Sequence, residues 1–300
     1  MLTRNRGTMI GMSAIALWAT LATCTVMATS IPPFQLLAMA FSVAFGLGIV
    51  GWWRLGWHTL RTLRQPLKVW VVGVGGLFGY HFFYFMAIKN APAVEANLIN
   101  YLWPLLIVLL SALLPDERLR WYHALGAMLG FSGAAFLILG REGDVMIGSG
   151  YMLGYMYAFL CALTWSGYSV ISRTFGKVPT HVVGGFCGVT MFLAWGCHFL
   201  FETTYMPSLL ELSATVMLGL GPVGGAFFVW DIGMKMGDIK LLGSLAYATP
   251  LLSTILLILL GFAASSWSVW VACGLIVLGS LISSGEYLKS AVGKIRNKYF

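Results

Sequence analysis

Residues 75–104 read GGLFGYHFFYFMAIKNAPAVEANLINYLWP, and residues 221–250 read GPVGGAFFVWDIGMKMGDIKLLGSLAYATP. At an offset of 146, Gly75 and Gly79 fall on Gly221 and Gly225, Lys89 on Lys235, Tyr101 on Tyr247 and Pro104 on Pro250. At 147, Trp18 falls on Trp165 and Pro32 on Pro179. Self-similarity at a long fixed period marks a duplicated architecture. The chain divides into a first half at 1–143, a second at 144–285 and a basic tail at 286–300.

Each half is built for lipid. Of 300 residues, 59% are hydrophobic and 9% charged, and the mean hydropathy is +0.85; ordinary soluble domains carry roughly 25% charged residues. A spanning helix needs about 20 mainly apolar residues. Ten such runs are read, at 9–29, 34–53, 69–88, 94–114, 121–140, 150–171, 182–201, 213–234, 240–262 and 267–284. The predicted fold is therefore an all-α integral membrane protein of ten transmembrane helices. Five helices per half is an odd number, so the second half enters the bilayer upside down, an inverted repeat of the kind typical of secondary transporters.

Charge tests the count. With both termini cytoplasmic, sixteen of the eighteen lysines and arginines fall in inner segments, and only Lys89 and Arg141 fall outside. One missed helix would scramble that separation from its position onward. Trp52, Trp53, Trp57, Trp70, Trp121, Trp267 and Trp270 sit near helix ends, where indoles favour the headgroup region.

Several function classes fall away. The net charge of +8 is dispersed in short blocks with no continuous basic face, so nucleic acid is not expected as a partner. Cys24, Cys161, Cys187, Cys197 and Cys273 lie in apolar segments without metal-ligand spacing, and they read as small buried hydrophobes. Neither a metal nor a cofactor is expected. The apolar stretch after Arg4 and Arg6 is too long for a signal peptide and reads as a retained first helix. Gly73-Val74-Gly75-Gly76 has no strand before it and is no dinucleotide fingerprint. No catalytic constellation is found, so no enzyme activity is expected.

What remains inside the membrane is aromatic and sparsely polar. Pro104 and Pro250 lie near the middle of the fourth and ninth spans, where each removes the helical bond to the carbonyl of Asn100 or Ala246, and they are read as paired hinges. The Gly75/Gly79 and Gly221/Gly225 pairs match the small-residue pattern of close helix packing. Trp18, Tyr80, Tyr84, Tyr101, Trp103, Trp165 and Trp230 lie away from the belt and are read as the walls of a shared cavity. Such walls suit a flat ring by stacking and an amine by cation–π attraction. His81, Asn97 and Asn100 are the polar candidates for a substrate's charged end. Glu95 and Asp231 lie near helix ends and are expected to reach water or a nearby lysine.

The repeat, the stretch Ala93–Pro104, and Glu117 with Gly126 and Gly133 resemble the drug/metabolite transporter superfamily in its ten-helix form with two EamA-type domains. The opening Gly11 and Ile15-Ala16-Leu17-Trp18-Ala19-Thr20, with Tyr101-Leu102-Trp103-Pro104, are similar to bacterial YddG-type exporters of aromatic amino acids. The resemblance implies a multi-pass carrier of the bacterial inner membrane, moving aromatic amino acids and related small metabolites by alternating access through a cavity lined by the aromatic residues above. Substrate and lipid bilayer are the implied partners, and a monomer is the expected state. One departure is that Glu117 has Ala263 at its matching position in the second half. A multidrug or other metabolite carrier is the alternative, with a channel or a membrane-embedded enzyme behind it. Phosphorylated substrates would favour interior Lys or Arg, and none is placed there.

Overall fold

The computed structural model of the chain describes residues 3–115, 117–142, 149–261 and 267–283. The boundary between the two halves at 143/144, the tail at 286–300 and Ala263 lie outside the described residues. Among the described residues every regular element is helical. Seven helices among the described residues are long and apolar enough to cross a membrane: α1 (Arg4–Val26), α2 (Pro33–Leu55), α3 (Leu67–Asn90), α4 (Glu95–Leu113), α7 (Thr180–Phe201), α8 (Leu209–Met236) and α9 (Ile239–Leu259). The remaining long helices are α5 (Trp121–Glu142), α6 (Met152–Thr174) and α10 (Trp267–Ser283).

Besides a one-residue break at Thr20 in α1, four of these helices are interrupted, in two matching ways. In α3 and α8, Gly75–Gly79 and Gly221–Gly225 widen into π-helix, the local defect that recurs at functional sites. In α4 the helix stops at Asn100 and restarts at Trp103, and in α9 it stops at Leu245 and restarts at Ala248. The prolines therefore lie inside the first turn of each restarted segment, where a missing N–H is least costly. The breaks lie just before Pro104 and Pro250, not at them. The Ala246 carbonyl, expected to lose its partner, accepts the Thr249 N–H at 3.0 Å.

Packing joins the first half to the second: α1 lies on α8, α3 on α6, α2 on α7, α4 on α9 and α5 on α10. Exchanging the halves turns this set of pairs into itself. Several of these contacts are glycine on glycine. A Cβ on Gly11 would sit 2.9 Å from the Cα of Gly233, one on Gly48 2.7 Å from the Cα of Gly184, and one on Gly126 2.5 Å from the carbonyl oxygen of Gly279. These pairs carry the close approach that the sequence assigned to the other glycines. A Cβ on Gly75 would meet nothing within 4 Å, and one on Gly221 nothing nearer than 3.9 Å. Of the tryptophans read as a belt, Trp53, Trp57, Trp121, Trp267 and Trp270 are exposed, but Trp52 is buried. Trp52 donates its indole N–H to the His181 carbonyl at 3.1 Å, and Trp70 packs edge-on against Phe186.

Candidate functional site

The inner face of α1 reads Gly11, Ala14, Ile15, Trp18, all buried and at helical spacing. Gly11 lets α1 approach α8 at Gly233, and from that contact both helices run to the centre, where Trp18 meets Trp230 at 4.9 Å between ring centroids. Trp103, on the restarted segment of α4, and Trp165, on α6, complete a cluster in which every indole touches the other three. The remaining centroid distances run from 5.7 Å for Trp18–Trp165 to 6.5 Å for Trp165–Trp230. Trp230 is fully buried and the others nearly so. Two indoles are anchored, since Trp18 donates to the Pro222 carbonyl in the π segment of α8 and Trp230 donates to Ser169 Oγ, each at 3.0 Å. Trp103 and Trp165 find no acceptor among the described residues.

A polar ladder leans on this cluster from α3 and α4. Tyr80 packs on Trp165 at 5.5 Å and stacks with Tyr84 at 6.3 Å. The Tyr84 hydroxyl donates to Asn97 Oδ1 at 2.9 Å, and Asn100 Nδ2 donates to the Tyr80 hydroxyl at 3.2 Å. The Asn100 Oδ1 is buried and without a partner. Such an orphan acceptor costs free energy unless something else uses it.

His81 is not part of that ladder. One residue along a helix is about 100° of rotation, so while Tyr80 and Tyr84 face α4, His81 faces away. Its ring lies edge-on to the neighbouring Tyr80 at 5.2 Å but also to Phe41 at 5.5 Å and to Phe227 at 6.2 Å on other helices, and its Nδ1 is bonded to the Leu77 carbonyl at 2.7 Å and not to the ladder. The structure thus separates His81 from Asn97 and Asn100. Tyr101, half-buried in the turn of the α4 break, makes none of the cluster's ring contacts.

Three aromatic residues were not anticipated at the site. Phe41 and Phe227 stack on each other at 5.9 Å, and Phe227 reaches Trp165 at 5.5 Å. Tyr247, fully buried in the α9 break, accepts the Leu105 N–H at 3.0 Å, so a residue of one half supports the broken helix of the other. Its match to Tyr101 was visible in the sequence; its partner was not. Asp231, next to Trp230, is buried and accepts from Lys235 Nζ at 2.8 Å and Thr180 Oγ1 at 2.7 Å. Of the two outcomes expected for this carboxylate, the structure gives the lysine.

A chain with 51% identity over 283 residues, covering 94% of this chain and 98% of the relative, is the aromatic amino acid exporter YddG of Ancylobacter novellus. Residues 5–139 match the EamA-like transporter family. The chain belongs to the EamA-like transporter family. A second member, the aromatic amino acid exporter YddG of Escherichia coli, is 26% identical, with 94% of this chain and 97% of that one covered. A crystal structure of a protein 51% identical superposes with a TM-score of 0.91, covering 94% of this chain and 97% of the other. These EamA-like relatives are transporters, not enzymes, and this member is likewise a multi-pass membrane protein.

Proposed function

We propose that the chain is a secondary transporter of the bacterial inner membrane that exports aromatic amino acids by alternating access. The observation that carries this reading is the cluster of Trp18, Trp103, Trp165 and Trp230, drawn from both halves and set beside the helix breaks. An aromatic substrate ring enters such a cluster by exchanging one indole contact for its own, at about 0.5–1.5 kcal/mol per ring pair beyond area burial. The unpaired N–H groups of Trp103 and Trp165 suit the substrate carboxylate. The orphan Asn100 Oδ1 suits its ammonium. Tyr80, Tyr84, Asn97 and Tyr101 line the approach, and His81 braces α3 from behind through Phe41 and Phe227. The E. coli and A. novellus exporters support the substrate class by their similarity. A channel is the poorer reading because buried side chains occupy the centre.

In this reading α1–α5 and α6–α10 are ten spans in two inverted repeats, residues 1–143 and 144–285, with both termini and the tail at 286–300 in the cytoplasm. The matched π segments, the matched breaks and the exchange symmetry of the helix pairs support it. Segments hinged at the breaks before Pro104 and Pro250 open the cluster to one side at a time. Direction follows the substrate gradient.

The test is Trp103→Ala and Tyr101→Ala, each inserted in membranes at wild-type level and assayed for phenylalanine flux. Loss of flux, at least tenfold for Trp103→Ala, is expected. Normal flux in both would remove this region from the transport route.

A further inference from the structure

The tryptophan-bearing helices meet a second time, at the end of the bundle that holds the start of α1 and the ends of α4, α6 and α8. There the meeting point is one carboxylate. Glu117, in the connection from α4 to α5, has a side chain only 3% exposed. Its Oε1 accepts from Arg173 of α6 at 2.8 Å and lies 3.6 Å from Arg4 of α1, and its Oε2 lies 2.8 Å from Lys240 Nζ of α9. Each cation is tied onward. Arg4 also pairs with Asp238 at 2.9 Å, and Asp238 Oδ1 caps the start of α9 by accepting the Lys240 and Leu241 N–H groups. Arg173 donates its other nitrogen to the carbonyls of Met234 and Gly237, closing the end of α8. Lys240 donates to the Arg118 carbonyl at 3.1 Å.

We propose that Glu117 is the latch that holds this end of the bundle shut during the transport cycle. The proposal rests on the alternating-access reading above. It follows from what the network joins: Trp18, Trp103, Trp165 and Trp230 sit on α1, α4, α6 and α8, and Glu117 ties the ends of α1, α4 and α6 to the start of α9, with Arg173 reaching on to the end of α8. Reaching the indoles from this end requires those ends to part, and parting breaks bonds to Glu117. Ionic chemistry suits a reversible closure. Buried ion pairs roughly break even against hydration, so water entering the parted end replaces the lost partners, which an apolar seal would not allow. The latch is one-sided, because the position in the second half that matches Glu117 is Ala263.

The reporter is Ala14→Cys, a buried site on α1 between Arg4 and Trp18. Its reaction with a hydrophilic maleimide is followed in the full-length protein by site-resolved mass spectrometry, with the native buried Cys24 in the last turns of α1 as internal control. Glu117→Gln keeps the shape and removes the charge. It is expected to raise labelling at Ala14→Cys at least tenfold while leaving Cys24 unchanged. Arg4→Ala, which removes a half-exposed partner and cuts only the α1 arm, is expected to raise it at least threefold, and it carries the test if Glu117→Gln does not fold. Wild-type labelling rates in the folded variants would overturn the latch, and so would failure of both to fold, which would make Glu117 a folding residue. Phenylalanine flux is measured on the same preparations. Faster labelling in the variants with no wild-type flux would support the latch and overturn the export reading; wild-type flux with unchanged labelling would overturn the latch alone.

Discussion

Tyr247→Phe removes one oxygen from a site that water does not reach. The Tyr247 hydroxyl accepts the Leu105 N–H at 3.0 Å, and the side chain is fully buried. Leu105 follows Pro104 in the segment that restarts after the α4 break, so its amide turns across to the other half for a partner. A hydrogen bond contributes about 0.5–1.5 kcal/mol net, and a buried donor left without one costs about 1–3 kcal/mol. Tyr247→Phe should therefore destabilise the fold by about 2 kcal/mol, roughly a 30-fold shift in the unfolding equilibrium. Tyr101→Phe is the matched control: it deletes the same atom at the corresponding position of the first half, where the ring is half-buried, and should cost under about 0.5 kcal/mol. Both are measured by reversible denaturant unfolding of the purified proteins in one detergent. Equal stability of Tyr247→Phe and wild type, or a larger loss for Tyr101→Phe, would refute the assignment of Tyr247 as the support of the α4 break.

Two further outcomes follow from the packing. Gly11→Leu places a side chain against the backbone of Gly233 and should cost about 1–3 kcal/mol or more by overpacking, whereas Gly75→Ala, with nothing within 4 Å of its Cβ, should cost under about 1 kcal/mol; unfolding midpoints compare them. Asp231→Asn strands the buried Lys235 ammonium, a loss of about 3–5 kcal/mol, and the double change Asp231→Asn with Lys235→Met should recover most of it. A double variant no more stable than the single one would show that the pair does not act as a unit.

Seven of the ten spans read from the sequence are matched by helices long and apolar enough to cross a membrane, because lipid imposes a simple rule on composition, and the observed α7 differs from its reading at 182–201 only by its first turn. The apolar span read at 9–29 gave no sign that the helix itself begins at Arg4, because hydropathy marks the apolar stretch and not the helix end, and Arg4 lies inside the helix paired with Asp238. The indole cluster was half legible. Apolar context singled out Trp18, Trp103, Trp165 and Trp230, but only packing shows that all of them touch. His81 was grouped with Asn97 and Asn100 by depth, a coordinate that hydropathy supplies; the rotation that separates them depends on how α3 is turned against its neighbours. The π segments gave no signal, since a glycine permits such a defect without specifying it. Glu117 was read for its motif, and its partners are scattered from Arg4 to Lys240, a pairing that exists only once the helices pack.

The most direct test is uptake of labelled phenylalanine or tryptophan into liposomes containing the purified protein, with unlabelled amino acids as competitors and with and without a pH gradient. The account predicts saturable flux inhibited by aromatic amino acids and accelerated by substrate preloaded on the opposite side. Flux no greater than in empty liposomes, with the protein folded, would contradict it.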